Sequence, residues 1–384
     1  MQASDIYADI RPYNDEEVSE VLQRLLASKD LHQAIIGFNL PWLPSRIRNL
    51  FTPVLRSILK KQLRDVHTVE QFQLWLTGML ELLLKRTCKK IEVRGLDRIP
   101  LGQTHLWLSN HRDIAMDPLL INYSLHKAGW PTSRIAIGDN LLSNDDVADI
   151  MRLNKSFVVK RNIDSRRQKL QELQKLSAYI RQSVDVGNSI WIAHKEGRAK
   201  DGIDKTDTAV LKMLALHGRP LKESFSDTMH ALQPVPVSIQ YEWDPCDLLK
   251  ARELMAIENT GVYKKTDNED TQSIVLGLLG KKGRVIIDFG QPLTSEECAS
   301  PESMAKAVDA HIQNAQQVTS VQRTALGLLQ RLNPDYKQVP GARVSAKVAK
   351  KLKDRLKGQN QDVSERMLMT YCMPLLQANK KAED

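Results

Sequence analysis

The sequence predicts an α/β fold: a largely parallel mixed sheet covered by helices, with helical N- and C-terminal extensions. Two observations carry this reading. Between residues 91 and 295, short β-rich runs alternate with stretches of helical periodicity, the pattern of a mostly parallel sheet covered on both faces. On either side, in 1–90 and 296–384, the periodicity is helical and the alternation that marks strands is missing. With 384 residues, the chain is long enough for one large core with appendages or for two domains.

The N-terminal region, 1–90, reads as amphipathic helix. Its segment Leu40 to Val66 mixes Trp42, Leu43, Ile47, Leu50, Phe51, Val54, Leu55, Ile58 and Leu59 with Arg46, Arg48, Arg56, Lys60, Lys61 and Arg64. Such a mixture suits a helix lying in a lipid headgroup layer, and equally one packed on a core with a solvated basic face. The most apolar stretch, Leu74 to Leu84, contains Glu81 and falls short of the roughly 20 residues a spanning helix needs. Membrane contact is therefore expected to be peripheral.

In the central region the expected strands are Ile91–Val93, His105–Leu108, Arg134–Ile137, Phe157–Val159, Ser189–Ala193, Val235–Gln240 and Arg284–Phe289. Helical periodicity between them is clearest at Ser165–Ser183 and Thr206–Leu216. In an open sheet of this kind the functional loops follow the carboxyl ends of the strands. The C-terminal region, 296–384, opens with a helical run at Pro301–Gln317 and is broken at Gly341, and Arg343–Lys357 is dense in Lys and Arg. That density is first of all a solvated helix face.

Composition narrows the partners. The chain is 42% hydrophobic and 26% charged, with mean hydropathy -0.37, so neither global disorder nor a membrane-embedded chain is indicated. A formal net charge of +9 favours an anionic partner: nucleic acid, acidic headgroups or a phosphorylated substrate. Only 5% of residues are aromatic, and neither spaced aromatics on a strand nor a zinc-finger spacing is present, which argues against nucleic acid. Cys88, Cys246, Cys298 and Cys372 form no C-x-x-C pair. That opposes a zinc site or a disulfide framework and fits a reducing cytoplasm. The first thirty residues, with Asp5, Asp9, Asp15, Glu16 and Glu17, lack the basic start and apolar run of a secretory signal, so export is not expected.

The chemistry concentrates in four blocks. In LWLSNHRDIAMDPLL, Leu106 to Leu120, a strand leads into His111, and Asp117 and Pro118 suit the N-cap and first position of a helix. A histidine on a strand-end loop becomes a base when a carboxylate fixes its tautomer, and Asp113 and Asp117 are both candidates. SFVVKRN ends a strand in Lys160 and Arg161, WIAHKEGRAKDG carries Lys195, Glu196, Gly197, Arg198 and Lys200, and PVPVSIQYEWDP is a strand headed by Pro234 and Pro236. Strand ends that present Arg and Lys suit a phosphate, which Arg can bind in bidentate fashion.

In this order the blocks resemble the glycerolphosphate acyltransferase family, which covers glycerol-3-phosphate and 1-acylglycerol-3-phosphate acyltransferases. NHRDIAMDPLL is similar to its His-x-x-x-x-Asp block, SFVVKR to its strand ending in Arg, KEGRAK to its Glu-Gly-Thr-Arg block and PVPVSIQYE to its Pro-Val strand. GRVIIDFGQPL, Gly283 to Leu293, resembles the strand and turn that follow. Two departures stand out. Five residues separate His111 from Asp117 instead of four, which keeps Asp113 in reserve, and no residue stands between Gly197 and Arg198. Either Glu196 and Gly197 hold the Glu-Gly place, or Gly197 and Arg198 hold the Gly-Arg place.

The resemblance implies direct acyl transfer from acyl-CoA or acyl carrier protein to a glycerol-phosphate-type hydroxyl. His111 would serve as base with Asp117 as its partner, while Lys160, Arg161, Glu196, Gly197, Arg198 and Pro236 would line the substrate site. No metal and no cofactor is implied. No Gly-x-Ser-x-Gly elbow suggests a serine acyl-enzyme. The expected setting is the cytoplasmic face of an anionic membrane. Another lysolipid acceptor and a membrane-binding module without catalysis are the alternatives.

Overall fold

The computed structural model describes residues 5–40, 42–161, 163–266 and 268–383, without the side chains of 38, 39, 45, 46 and 380–383. Arg46, one of the basic residues of the N-terminal segment, therefore has its side chain outside the described residues. In chain order the elements are α1 (Asp15–Ala27), α2 (Lys29–Asn39), α3 (Ser45–Gln62), α4 (Val69–Thr87), β1 (Cys88–Arg94), β2 (Leu106–Ser109), α5 (Met116–Lys127), β3 (Arg134–Gly138), α6 (Asp145–Leu153), β4 (Ser156–Val159) and α7 (Arg166–Asp185). They continue with β5 (Ile190–Ala193), α8 (Thr208–Leu214), α9 (Phe225–Leu232), β6 (Pro234–Tyr241), α10 (Asp247–Thr260), α11 (Glu269–Leu279), β7 (Gly283–Phe289), α12 (Pro301–Ala315), α13 (Ser320–Leu332), α14 (Ala346–Leu356) and α15 (Gln361–Glu383). Among the described residues no helix is long and apolar enough to cross a membrane.

The elements group into two compact units, Met1–Leu82 with Ser133–Tyr179, and Leu83–Thr132 with Ile180–Asp384. In the first, Val18, Val21, Leu22 and Leu25 of α1 pack with Leu63, Val66, Val69, Phe72 and Leu153. Its strands β3 and β4 pair in parallel, Ile135 opposite Ser156. Beside β4 the segment before α1 adds a further backbone contact, Val158 N–H donating to the Ile10 carbonyl at 2.8 Å.

The second unit holds a mixed, mostly parallel run of strands, β1-β7-β6-β2-β5. All four residues of β2 are buried, as befits a strand flanked on both sides. Burying Leu106, Trp107 and Leu108, all 0% exposed, is worth about 1.5–3 kcal/mol per side chain. β2 runs parallel to β5 and to β6, with Ser109 opposite both Ala193 and Val237. The chain therefore leaves β2 and β5 at the same edge of the sheet. β7 is parallel to β1 but antiparallel to β6. Behind these strands α13, α14 and α15 enclose Trp243, Val321, Leu326, Leu329, Leu352, Met367 and Leu368 in a separate apolar cluster.

Candidate active site

The turn after β2 is fixed before any reactive group is placed. Asn110 is fully buried. Its Oδ1 accepts from Ile239 N–H at 2.8 Å, while its Nδ2 donates to the Ile239 carbonyl at 3.0 Å and to Asp204 Oδ2 at 3.1 Å. The side chain thus ties the start of the loop to β6. His111 follows, with its ring edge-on to Trp191 of β5 at 5.8 Å between centroids.

His111 and Asp117 come together. Asp117 Oδ2 lies 2.8 Å from His111 Nδ1 and also accepts the backbone N–H groups of Arg112 and Asp113 at 2.6 and 2.9 Å. Its other oxygen accepts the Tyr241 hydroxyl at 2.7 Å. The Asp117 side chain is 0% exposed and that of His111 15%. Two backbone N–H groups and the Tyr241 hydroxyl donate to this one buried carboxyl, and with Asp117 as the acceptor toward His111 as well the tautomer is set. Nδ1 then carries a proton and Nε2 keeps its lone pair. Burial, and next the Asp117 charge, push the Tyr241 phenol well above its ordinary value, so the hydroxyl remains a donor.

The helix start differs from expectation. α5 begins at Met116, and it is Asp113 whose Oδ1 accepts from the Ala115 and Met116 N–H groups at 3.1 and 2.9 Å. Asp117 is no N-cap, because its carboxylate turns back to the loop and to His111. The turn through Asp113 takes up the additional residue between His111 and Asp117. Asp113 itself makes no bond to His111. Its Oδ2 is buried without a partner, and burial, followed by the nearby Asp117 charge, raises this carboxyl to about 6. Gly277 of α11 lies against it: a Cβ there would stand 2.2 Å from Asp113 Oδ2, so a larger residue would displace the carboxyl or the helix.

The third block meets the first through the main chain. His194 N–H donates to the Ser109 carbonyl and Ala199 N–H to the His111 carbonyl, both at 2.8 Å. Between them Gly197 adopts φ +76°, a left-handed conformation open to glycine at little cost. Glu196 is exposed and Arg198 half-buried; Arg198 makes a long contact of 3.5 Å with Ser273 Oγ of α11. Lys195 Nζ reaches the Ile203 carbonyl at 3.5 Å, and Lys200 pairs with Glu253. Pro236 lies inside β6, opposite Leu108, and its carbonyl accepts from Gly290 N–H at 2.8 Å.

Lys160 and Arg161 follow β4 in the other unit. Lys160 Nζ bonds Asp9 at 2.6 Å and Glu172 at 3.1 Å, while Lys175 bonds the second Asp9 oxygen at 2.7 Å. Partial burial opposes ionisation of Asp9, yet the two ammonium groups hold it at about 2. The Arg161 N–H donates to Asp139 Oδ2 at 3.2 Å, and its guanidinium lies against Gly138, whose Cβ would meet Cζ at 2.7 Å.

Several supporting residues were not singled out from the sequence: Asn110, Asp204, Tyr241 and, from the C-terminal half, Lys250. Lys250 is 2% exposed, and its Nζ donates to the Arg112 carbonyl at 2.6 Å and to Asp244 Oδ2 at 2.5 Å. Asp244 is held in turn from α14 and α15. Arg355 donates to its carbonyl at 2.9 Å, and its N–H donates to the Tyr371 hydroxyl at 3.0 Å. Thr370 Oγ1 of α15 donates to the Lys200 carbonyl at 3.2 Å. The C-terminal helices thus brace both the loop that carries His111 and the loop that carries Arg198.

A histidine hydrogen-bonded to a buried carboxylate, at strand ends of a mostly parallel sheet, has the arrangement that a general base in group transfer or hydrolysis requires. Residues 90–237 match the family model described as Acyltransferase. No curated protein sequence matches the chain. Among solved structures it is similar to the 1-acyl-sn-glycerophosphate (LPA) acyltransferase PlsC from Thermotoga maritima, at 14% identity and a TM-score of 0.41, over 79% of this chain and 100% of that one.

Proposed function

We propose that the chain transfers an acyl group from a thioester, acyl-CoA or acyl carrier protein, to a hydroxyl of glycerol-3-phosphate or 1-acylglycerol-3-phosphate. The observation that carries this reading is the 2.8 Å contact between His111 Nδ1 and Asp117 Oδ2, within a segment that matches the acyltransferase model. Asp117 fixes the tautomer. Nε2 then accepts the proton of the acceptor hydroxyl as that oxygen attacks the thioester carbonyl. Collapse of the tetrahedral intermediate breaks the C–S bond, and the imidazolium returns its proton to the departing sulfur. Acylated acceptor and free thiol result, with His111 restored.

Arg198 is the residue assigned to the acceptor phosphate. It stands one residue before Ala199, whose N–H binds the His111 carbonyl. Its contact with Ser273 engages one terminal nitrogen, and a guanidinium carries five N–H donors. Arg198→Ala raises the acceptor's KM by about ten- to a hundredfold, the loss of charge-assisted hydrogen bonds, with a smaller effect on the donor's KM. Steady-state kinetics with each substrate varied in turn check this. A rise confined to the donor's KM would move Arg198 to the donor.

Attachment to an anionic membrane is assigned to α3. Ile47, Leu50, Phe51, Val54 and Ile58 recur at helical spacing and are 42%, 74%, 45%, 57% and 48% exposed, while Leu59 and Leu63 of the opposite side are buried. Arg56, Lys60 and Lys61 are exposed beside them. An apolar stripe with flanking cations fits the headgroup boundary. Leu50→Asp with Phe51→Asp lowers co-sedimentation with anionic vesicles by more than about tenfold, each lost side chain being worth about 1.5–3 kcal/mol when fully buried, and high salt weakens the wild type. Unchanged binding would remove α3 from the interface.

The overall reading is tested by offering the purified chain glycerol-3-phosphate, 1-acylglycerol-3-phosphate and other lysolipids with both thioester donors. Acylation of a glycerol-phosphate acceptor supports it. Preference for a lysolipid without a free phosphate monoester would replace the acceptor.

A further inference from the structure

Resting on the acyl-transfer reading above, we propose that the basic face of α14 is the docking surface for an acidic carrier protein that delivers the acyl thioester, so that the donor is protein-borne. The stretch Arg343 to Lys357 holds seven basic residues, Arg343, Lys347, Lys350, Lys351, Lys353, Arg355 and Lys357, against one acidic residue, Asp354. Ala349 and Leu352 turn inward, while Lys347, Lys350, Lys351, Lys353 and Lys357 are exposed. Among the described residues no ion pair engages Lys347, Lys350, Lys353 or Lys357. An uncompensated cationic face of this kind raises the on-rate and selectivity for an oppositely charged partner.

Position connects this face to the reaction. Lys351 and Arg355 lie over the Trp243 ring, at 5.6 and 5.1 Å from its centroid. Trp243 comes two residues after Tyr241, whose hydroxyl binds Asp117. Arg355 also donates to the Asp244 carbonyl, and the Asp244 side chain accepts from Lys250, which holds the Arg112 carbonyl beside His111. A carrier seated on α14 would therefore rest on a helix that, through Asp244 and Lys250, braces the loop carrying His111. The chemistry of the face also separates a protein from a bilayer. No large apolar side chain of α14 is exposed, so this helix lacks the inserting stripe that α3 presents.

The test uses the full chain and donors of equal acyl length, one on acyl carrier protein and one on coenzyme A, with the triple variant Lys347→Glu, Lys350→Glu, Lys353→Glu and its milder counterpart with glutamine at the same positions. The KM for the carrier-borne donor rises by about tenfold or more in the glutamate variant and less in the glutamine variant, and its salt dependence flattens. The KM for acyl-CoA and the binding to anionic vesicles stay unchanged. Equal shifts for both donors, a shift for neither, or wild-type use of acyl-CoA alone would overturn the proposal. Loss of vesicle binding with both donor KM values unchanged would also overturn it, assigning the face to headgroups. Transfer from neither donor by the wild type would instead mark failure of the underlying acyl-transfer reading, and the proposal with it.

Discussion

Replacing His111 with alanine lowers kcat by about a hundred- to ten-thousand-fold, the usual contribution of a positioned base, while the thermal transition scarcely moves. The asymmetry follows from how the site is built. His111 is partly exposed, and Asp117 keeps two backbone N–H groups and the Tyr241 hydroxyl when the imidazole is gone. No buried polar group is left without a partner, so the loss is confined to the ring's packing against Trp191. Turnover with saturating donor and acceptor, set beside a melting curve, reads both quantities. A variant that keeps most of the wild-type kcat would exclude His111 as the base.

The second large effect separates two aspartates four residues apart. Asp117→Asn keeps an oxygen and the shape but removes the charge that sets the His111 tautomer and stabilises the imidazolium, so kcat falls by about a hundredfold or more with little change in KM. Asp113→Asn retains activity, since an amide oxygen can still accept from Ala115 and Met116 N–H. Its effect appears in stability. The folded-state value of Asp113, raised to about 6 by burial and then by Asp117, lies above its unfolded value. Its contribution is fully present below the ordinary carboxylate range and is lost as pH rises through about 6. Asparagine does not ionise. Melting temperatures taken from pH 4 to pH 7 should therefore shift in favour of Asp113→Asn as pH rises. Greater loss of turnover in Asp113→Asn than in Asp117→Asn would transfer the orienting role to Asp113.

Much of this was legible in the sequence for a physical reason. Strands flanked on both sides, such as β2 and β6, are mostly apolar, so the expected runs His105–Leu108 and Val235–Gln240 fall on them, and the loop that follows β2 carries His111. Direction is another matter: the apolar run of β7 reads the same whichever way it is threaded, and its antiparallel pairing with β6 is set by tertiary packing. Spacing also could not choose between Asp113 and Asp117. The choice is made by the turn, where two consecutive N–H groups point at one carboxylate and leave the other aspartate to accept the Ala115 and Met116 N–H groups at the start of α5. Lys160 illustrates a limit of local reading, because its partner Asp9 is 151 residues away. The same holds for Tyr241 and Lys250. Their contacts with Asp117 and the Arg112 carbonyl arise only once the second unit has folded, and neither residue type nor spacing advertises them.

The proposed reaction passes a thioester acyl group directly to a hydroxyl. It is tested most directly by mass balance: the purified chain is incubated with a thioester donor and 1-acylglycerol-3-phosphate, and free thiol and acylated acceptor are both quantified over time. Equal amounts of the two are expected, and loss of both in His111→Ala. Thiol released without acceptor acylation would make the chain a thioesterase, and would contradict it.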